Sequence, residues 1–141
     1  MRFRARGASM QPLVRDGDVV LVRPVAARAV RVGDVVLFKS SPEHVVVHRV
    51  IRRSGDQNGY AFQVKGDSLS RPDAVIAEAQ VFGRVDSIDR EGLHIDMNRP
   101  LMRLLSWLAV LRWRWKLERS AAYRLAKYIF RNLPVLSRYL A

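Results

Sequence analysis

Three side chains between residues 9 and 73 have the types that a hydrolytic site requires. Ser9 lies in the stretch GASMQP, His48 lies in the apolar run HVVVHRVI, and Asp73 follows a glycine-marked loop that begins VKGD. A serine hydroxyl becomes an effective nucleophile when a histidine accepts its proton and a carboxylate orients that histidine. The order serine, histidine, acid on separate elements therefore predicts nucleophilic catalysis, with Ser9 as the attacking group.

A second carboxylate leaves the orienting group open. Asp67 and Asp73 both follow the strand-like segment YAFQVK, six residues apart. We expect Asp73 to orient His48 and Asp67 to shape the loop, while Lys65 is the alternative base. GASMQP is also ordinary turn composition, and a histidine in a strand is often structural. The hypothesis therefore depends on the whole set of residues.

Short strands and tight turns account for residues 1–98. The segments GDVVLV and GDVVLF each start with turn-forming residues and continue as an apolar run, so we expect both strands to be covered on both faces. YAFQVK alternates between apolar and polar residues, and VFGRVDSI and LHIDM form a hairpin around a turn at 89–92. These patterns predict a mainly β fold, an antiparallel coiled sheet, followed by an α-helical tail.

The composition changes near residue 98. Gly92 is the last glycine, and leucine, alanine, arginine and tryptophan dominate the remainder, which is typical of helices. Pro100 suits a first helical turn and Pro134 a break, which predicts one helix from about residue 101, a turn near 118 and a second helix to about 133. The chain is therefore divided into a β-rich domain, 1–98, and a basic amphipathic helical tail, 99–141.

The basic charge is concentrated in this tail. The formal net charge is +12, and residues 99–141 carry ten Lys/Arg against one Asp/Glu. Such a tail favours an anionic membrane surface as partner, whereas the lack of a recognisable DNA-reading motif disfavours nucleic acid. The alternatives are a lid packed on the β domain and a surface for a protein partner. The residues predicted to contact the membrane are Trp107, Trp113, Trp115, Arg124, Lys127 and Arg131.

Several other classes of protein are disfavoured by composition. There is no cysteine, so disulfides and thiolate metal sites are excluded, and the three histidines lack a metal-binding pattern; we expect no metal and no cofactor. No run of 18 uncharged apolar residues is present to span a bilayer. The initial MRFRARGA is not followed by an apolar stretch, so we expect a location in the cytoplasm or peripheral on the cytoplasmic face of the membrane.

Residues 7–73 resemble the type I signal peptidase family, in the serine-histidine branch of endoplasmic-reticulum and archaeal enzymes. The blocks GASMQP, GDVVLV, GDVVLF, VHRVI and VKGDSLSRPD occur in the order of that family. The resemblance implies a serine endopeptidase that cleaves a leader or precursor peptide after small residues, with Ser9 as nucleophile, His48 as base and Asp73 as orienting acid. Bacterial signal peptidases and LexA-like autoproteases are similar in the serine block but use lysine as base.

One departure from that family concerns Gly7. Many signal peptidases have a serine two positions before the nucleophile, and here the backbone amide of Ser9 would remain as the oxyanion donor. The alternative function is a non-catalytic regulator or adaptor that keeps the peptidase-like β fold and binds membrane or nucleic acid through its tail.

Overall fold

A single antiparallel sheet dominates the computed structural model, which describes residues 1–115 and 128–129. Within the described residues the sheet contains eight strands, and helix α1 follows it. The bounds are β1 Arg2–Arg4, β2 Val19–Arg23, β3 Val35–Ser41, β4 His44–Asp56, β5 Gly59–Lys65, β6 Ala74–Ala77, β7 Val81–Arg90, β8 Leu93–Asp96 and α1 Pro100–Trp115. This architecture confirms the mainly β prediction.

The long strand β7 joins the two halves of the sheet. The strand order is β1-β2-β7-β3-β4-β5-β6, with β8 paired to β7 off this path. The first residues of β7 pair with β3, where Leu37 lies opposite Gly83, and its last residues pair with β8, where Ile88 lies opposite Ile95. β2 runs along the other edge of β7. Most neighbouring strands in the sheet are also consecutive in the sequence. The exceptions are the pairs that β7 makes with β2 and β3, which join strands that are far apart in the sequence.

The two Gly-Asp-Val-Val-Leu segments begin with the same turn. In 15–18 and in 31–34 the fourth residue donates its backbone N–H to the carbonyl of the first at 3.1 Å. Gly17 has φ +88° and Gly33 has φ +97°, which is the third-position geometry of a type II turn and favours glycine. The aspartate side chain then accepts the N–H of the first residue, at 2.7 Å for Asp18 and 2.8 Å for Asp34. Each turn therefore directs the chain into a strand.

The two strands that follow these turns differ in burial. β3 is covered on both faces, because Val35 and Leu37 face one hydrophobic cluster and Val36 and Phe38 face the other. The same expectation is wrong for β2, where Leu21 is 40% exposed and only the residues on either side of it are buried. The face of β2 that carries Leu21 is open because no second layer packs on it among the described residues.

The core consists of two hydrophobic clusters on opposite sides of β3. One joins β3 to β4, β5 and β6 through residues such as Phe62 and Ile76. The other joins the segment after Ser9 to β2, β7, β8 and α1 through residues such as Leu13, Ile88 and Leu105. The chain segment that carries Ser9 is thus anchored in the same core as the helix.

Helix α1 begins at Pro100, which confirms the predicted start of the first helix. Its buried side chains Met102 and Leu105 belong to the core of the β domain. The division of the chain at residue 98 stays a prediction, although the first part of the predicted tail packs on the sheet. The predicted turn near 118 lies outside the described residues, as does almost all of the second helix, including Arg124, Lys127 and Arg131.

Candidate active site

The segment that carries Ser9 is fixed by its own backbone and by burial on its C-terminal side. Ala5 exchanges hydrogen bonds with the turn at 15–18, donating to Asp18 O at 2.7 Å and accepting from Gly17 N at 2.9 Å. Gly7 has φ +91°, a conformation that side-chain-bearing residues avoid, and donates its N–H to Asp16 Oδ1 at 2.8 Å. Met10 is 4% exposed. Ser9 therefore lies between a constrained loop and a buried anchor, and its own side chain is half-buried.

His48 lies on β4 and reaches the hydroxyl of Ser9. Its Nε2 is 3.0 Å from Ser9 Oγ, which is hydrogen-bonding distance. β4 is held in register by β3, where Val36 lies opposite His48, and the His48 ring lies 6.0 Å from that of Phe38 between centroids. The ring is only 5% exposed. A buried strand thus presents the imidazole to the serine.

Asp73 contacts the other nitrogen of the same ring. Its Oδ2 lies against His48 Nδ1. The backbone of Asp73 donates to Val64 O at 3.0 Å, so β5 fixes its position just before β6 begins. The carboxylate favours the tautomer with the proton on Nδ1, which leaves Nε2 free to accept the proton of Ser9. The hydroxyl of Ser9, the ring of His48 and the carboxylate of Asp73 thus form one continuous chain of contacts.

Asp67 is bound by a different side chain, Arg49. Arg49 Nε and an amino nitrogen donate to the two oxygens of Asp67 at 2.7 and 2.6 Å, and the other amino nitrogen donates to Gly33 O at 2.9 Å. Arg49 is 1% exposed, so this fork is buried. The bond to Gly33 also ties the second type II turn to the loop. Asp67 therefore binds Arg49, whereas Asp73 contacts His48.

Arg49 is a site-shaping residue that the sequence reasoning did not single out. The signal was an arginine inside the apolar run VHRVI, because a buried strand position requires such a charge to have a carboxylate partner. Asp67 was the nearby carboxylate that had not been assigned to His48. Arg90 gave no such signal, because it lies in the segment predicted as a turn. It is 7% exposed, forms a buried pair with Asp18 and donates to Leu13 O at 2.8 Å.

The loop 66–73 is bonded directly to the serine segment. Ser68 donates its backbone N–H to Ser9 O at 3.0 Å and its hydroxyl to Ala8 O at 2.8 Å. Gly66 approaches so closely that a Cβ there would lie 2.6 Å from Ser9 O. A side chain at position 66 would therefore separate the loop from the segment that carries Ser9. The same loop therefore places Asp73 against His48 and Ser68 against the backbone of Ser9.

Burial sets the pKa of His48. Desolvation lowers this pKa below the ordinary histidine value of 6.5, and the nearby Lys65 ammonium lowers it further. The charges of Asp73 and Asp67 and the hydrogen bond that His48 donates to Asp73 oppose the shift without overcoming it. Lys65 itself is buried and donates to Gly66 O at 3.1 Å. The imidazole is therefore neutral at neutral pH, the form that can act as a base.

An open strand edge leads to this site. On one side, β4 pairs with β3 from His44 to Arg49. On its other side, the pairing with β5 starts only at Arg49, opposite Lys65. Residues 44–48 thus have no strand partner on that side within the described part of the chain. Val45, 58% exposed, marks the outer end of this edge, and His48 marks its inner end.

The other predicted positions are only partly described. Trp107 is 54% exposed and Trp113 is half-buried, while the side chain of Trp115 is outside the described residues. Their contact with a membrane stays a prediction. No helix among the described residues is long and apolar enough to cross a bilayer. Those residues also contain no group of three or more His, Asp or Glu that could hold a metal ion.

One family model matches the part of the chain that contains Ser9 and His48. Residues 1–58 match a family model described as Peptidase S24-like, which includes Ser9 and His48 and ends before β5. A search of the curated proteins finds no match. The family match supports the S24/LexA-like peptidases broadly and indicates a serine peptidase-like fold; it does not support the narrower signal peptidase branch. The LexA-like group, disfavoured above because it uses lysine as base, is therefore the grouping that the match supports.

Proposed function

We propose that this protein is a serine endopeptidase with a Ser-His-Asp mechanism. The observation that carries the proposal is the 3.0 Å contact of Ser9 Oγ with His48 Nε2, on a ring whose Nδ1 meets Asp73. An isolated serine hydroxyl is a weak nucleophile, and a positioned base contributes about 10²–10⁴-fold to the rate. The broad match to a peptidase family also supports the proposal.

The chemistry follows from the two nitrogens of His48. Nε2 accepts the proton of Ser9 as Oγ attacks the peptide carbonyl, and Asp73 stabilises the imidazolium through Nδ1–H. The imidazolium then gives its proton to the leaving amine, and the C–N bond breaks to form an ester on Ser9. Water, deprotonated by the same Nε2, hydrolyses that ester and regenerates the serine hydroxyl.

The backbone amide of Ser9 is the candidate donor to the developing oxyanion. It donates to no partner among the described residues, so it is available for a substrate oxygen. Gly7 contributes no side-chain hydroxyl, so this site lacks the donor that many signal peptidases place there. Loss of one oxyanion donor costs about 10²–10³ in rate in other serine peptidases, so we expect slow turnover.

The open edge of β4 supports an extended peptide as the substrate. A peptide that adds as a strand beside residues 44–48 would place its backbone next to His48 and Ser9, with affinity from main-chain hydrogen bonds. By resemblance to signal peptidases, we propose small side chains before the scissile bond and a leader or precursor peptide as substrate. A peripheral location on the cytoplasmic face of a membrane is part of the same proposal.

Cleavage of a diverse library of unstructured peptides, read by mass spectrometry, tests the proposal. We expect wild-type protein to cut a subset, and Ser9→Ala and His48→Ala to cut none while keeping the wild-type circular dichroism spectrum. Ser54→Ala, at an exposed serine of β4 that lies opposite Ala61 on β5, is the matched control and should cut normally. Cleavage that survives in purified Ser9→Ala would refute the assignment. A wild-type protein that cuts nothing would favour the non-catalytic regulator.

Synthetic peptides test the strand-addition mode separately. Once a substrate is identified, N-methylation of single backbone amides removes donors without changing side chains. We expect a loss in kcat/KM at alternate positions, because successive amides in a strand point to opposite edges. A uniform tolerance of N-methylation would show that the peptide does not bind as an added strand.

A further inference from the structure

The outward face of α1 carries an exposed apolar stripe. Leu101, Leu104 and Trp107 are 39%, 52% and 54% exposed and follow one another at spacings of three, whereas Met102 and Leu105 are buried against the sheet. At 3.6 residues per turn the exposed residues share one side of the helix. A large aromatic and two leucines in a row on the surface indicate a binding surface rather than ordinary scatter.

A basic cleft lies along the flank of this stripe. It is formed between the second type II turn and α1, and its lining includes Arg31, Arg84 and Arg103. Asp34, at 3.7 Å, partly neutralises Arg84, which also donates a hydrogen bond to Asn98 Oδ1 at 3.4 Å. Arg31 and Arg103 are exposed and form no ion pair with the described residues. The cleft therefore carries an excess of positive charge next to exposed apolar side chains.

We propose that Leu101, Leu104 and Trp107 together with Arg31 and Arg103, which we call the α1 surface, dock on an anionic phospholipid bilayer. The apolar side chains would enter the boundary between headgroups and acyl chains, and the two arginines would contact lipid phosphates. Arginine suits this task because its planar group binds two phosphate oxygens at once. The proposal assigns a surface to the peripheral membrane location proposed above, and it does not depend on the peptidase reaction.

The charge of the chain favours an anionic membrane, rather than a second copy of the protein, as the partner of the α1 surface. Two α1 surfaces brought together would place the uncompensated Arg31 and Arg103 of both copies near each other, and like charges in a contact oppose association. The surrounding sequence points the same way, because ten of the eleven charged residues in 99–141 are basic. An anionic bilayer complements this charge and also covers the apolar stripe.

Flotation of the full chain with vesicles tests the proposal. We expect flotation with vesicles that contain phosphatidylglycerol but not with pure phosphatidylcholine, and a decrease at high salt. Each of Arg31→Gln and Arg103→Gln should weaken binding about fivefold, since a basic residue near anionic headgroups contributes on the order of 1 kcal/mol. Leu104→Ser and Trp107→Ser should also reduce flotation. Ser9→Ala should float like the wild type.

Two exposed positions away from the α1 surface provide matched controls. Leu21→Ser removes an exposed leucine of β2 that lies outside the hydrophobic cluster containing Met102 and Leu105, and Arg52→Gln removes an exposed arginine on β4. Both should bind vesicles like the wild type. Equal binding by the α1-surface variants would overturn the proposal and assign attachment to another part of the chain, such as residues 116–141.

Fluorescence quenching by lipids with brominated acyl chains gives a second readout. Trp107→Phe should lose more of the quenching than Trp113→Phe, because Trp107 is the more exposed of the two. No vesicle binding at all would refute the proposal. Self-association in sedimentation that Leu104→Ser abolishes would likewise refute it, in favour of a second copy as the occupant.

Discussion

His48 and Arg49 are neighbours on β4, and each binds a different carboxylate of one loop. Successive side chains of a strand point to opposite faces, so His48 faces Ser9 and Asp73 while Arg49 faces Asp67 and Gly33 O. The order of the two carboxylates could not be derived from spacing alone, because both follow β5. The buried Arg49 distinguishes the two carboxylates, because its charge requires a partner. Asp67, the first of the two in the sequence, is that partner, and Asp73 is left to contact His48.

The two aspartates should differ sharply when each is changed to asparagine. Asp73→Asn should lower kcat/KM by about 10²–10⁴-fold with little loss of stability, because the amide no longer stabilises the imidazolium and favours the wrong tautomer. Asp67→Asn should lower the free energy of unfolding by about 3–5 kcal/mol, because it leaves the Arg49 charge buried without its partner. Peptide cleavage and urea denaturation of both variants measure these effects. An Asp73→Asn enzyme with full activity would contradict the prediction.

The pH dependence follows from the lowered pKa of His48. Because burial holds this pKa below about 6.5, the neutral base persists into mildly acidic solution, and kcat/KM should fall only as the pH drops through the lowered value. In the unfolded chain the ring takes up its proton first, so stability should start to fall near pH 6.5 and level off below the folded pKa. The imidazole resonance of His48 in NMR titration, assigned with His48→Ala, checks the shift. An acid limb centred above 6.5 would contradict it.

At the scale of elements, the loop 66–73 determines how closely the acid and the nucleophile approach. Gly66→Ala places a Cβ 2.6 Å from Ser9 O and 2.9 Å from the Leu69 side chain, so the loop must move away. We expect a loss of about 10²-fold in kcat/KM, since a displacement of about 1 Å at a catalytic group has that effect. Gly92→Ala, in the turn between β7 and β8, should lower stability without changing kcat/KM. Equal rates for wild type and Gly66→Ala would show that the loop does not position the site.

The elements themselves were predictable where the signal is local. The turn chemistry at Gly17 and Gly33, the alternation in β5 and the first turn at Pro100 depend on neighbours in sequence, and the structure has each of them. The open face at Leu21 was not predictable, because an apolar run is compatible with one or two covered faces. The unpaired edge at 44–48 was also missed, since it depends on where β5 ends relative to β4.

At the scale of the whole molecule, the two type II turns offer a matched test of a buried ion pair. Asp18 is 4% exposed and binds Arg90 at 2.6 Å, whereas Asp34 meets Arg84 at 3.7 Å in a more open position. Both aspartates also accept the equivalent backbone N–H. Asp18→Ala should lower the free energy of unfolding by about 3–5 kcal/mol and Asp34→Ala by about 1 kcal/mol. Denaturation curves of the pair measure the difference, and equal costs would contradict it.

The order of strands in the sheet could not be predicted from the sequence. β7 lies between β2 and β3, so contacts across more than forty residues decide the arrangement. Hydrophobic patterning indicates which residues are buried but not which strand they meet. The Ser9, His48 and Asp73 set could still be proposed, because the residue types restrict the chemistry more strongly than the topology does.

The loop 66–73 is held at Gly66, Ser68, Asp67 and Asp73, and a segment tied at so many points does not swing aside as a lid. Access to Ser9 along the open edge of β4 then requires a chain whose amides are still unpaired. The helices and sheets of a folded protein have already used those amides. The proposed enzyme would therefore leave folded proteins intact, and the time that a precursor spends unfolded would decide whether it is cut.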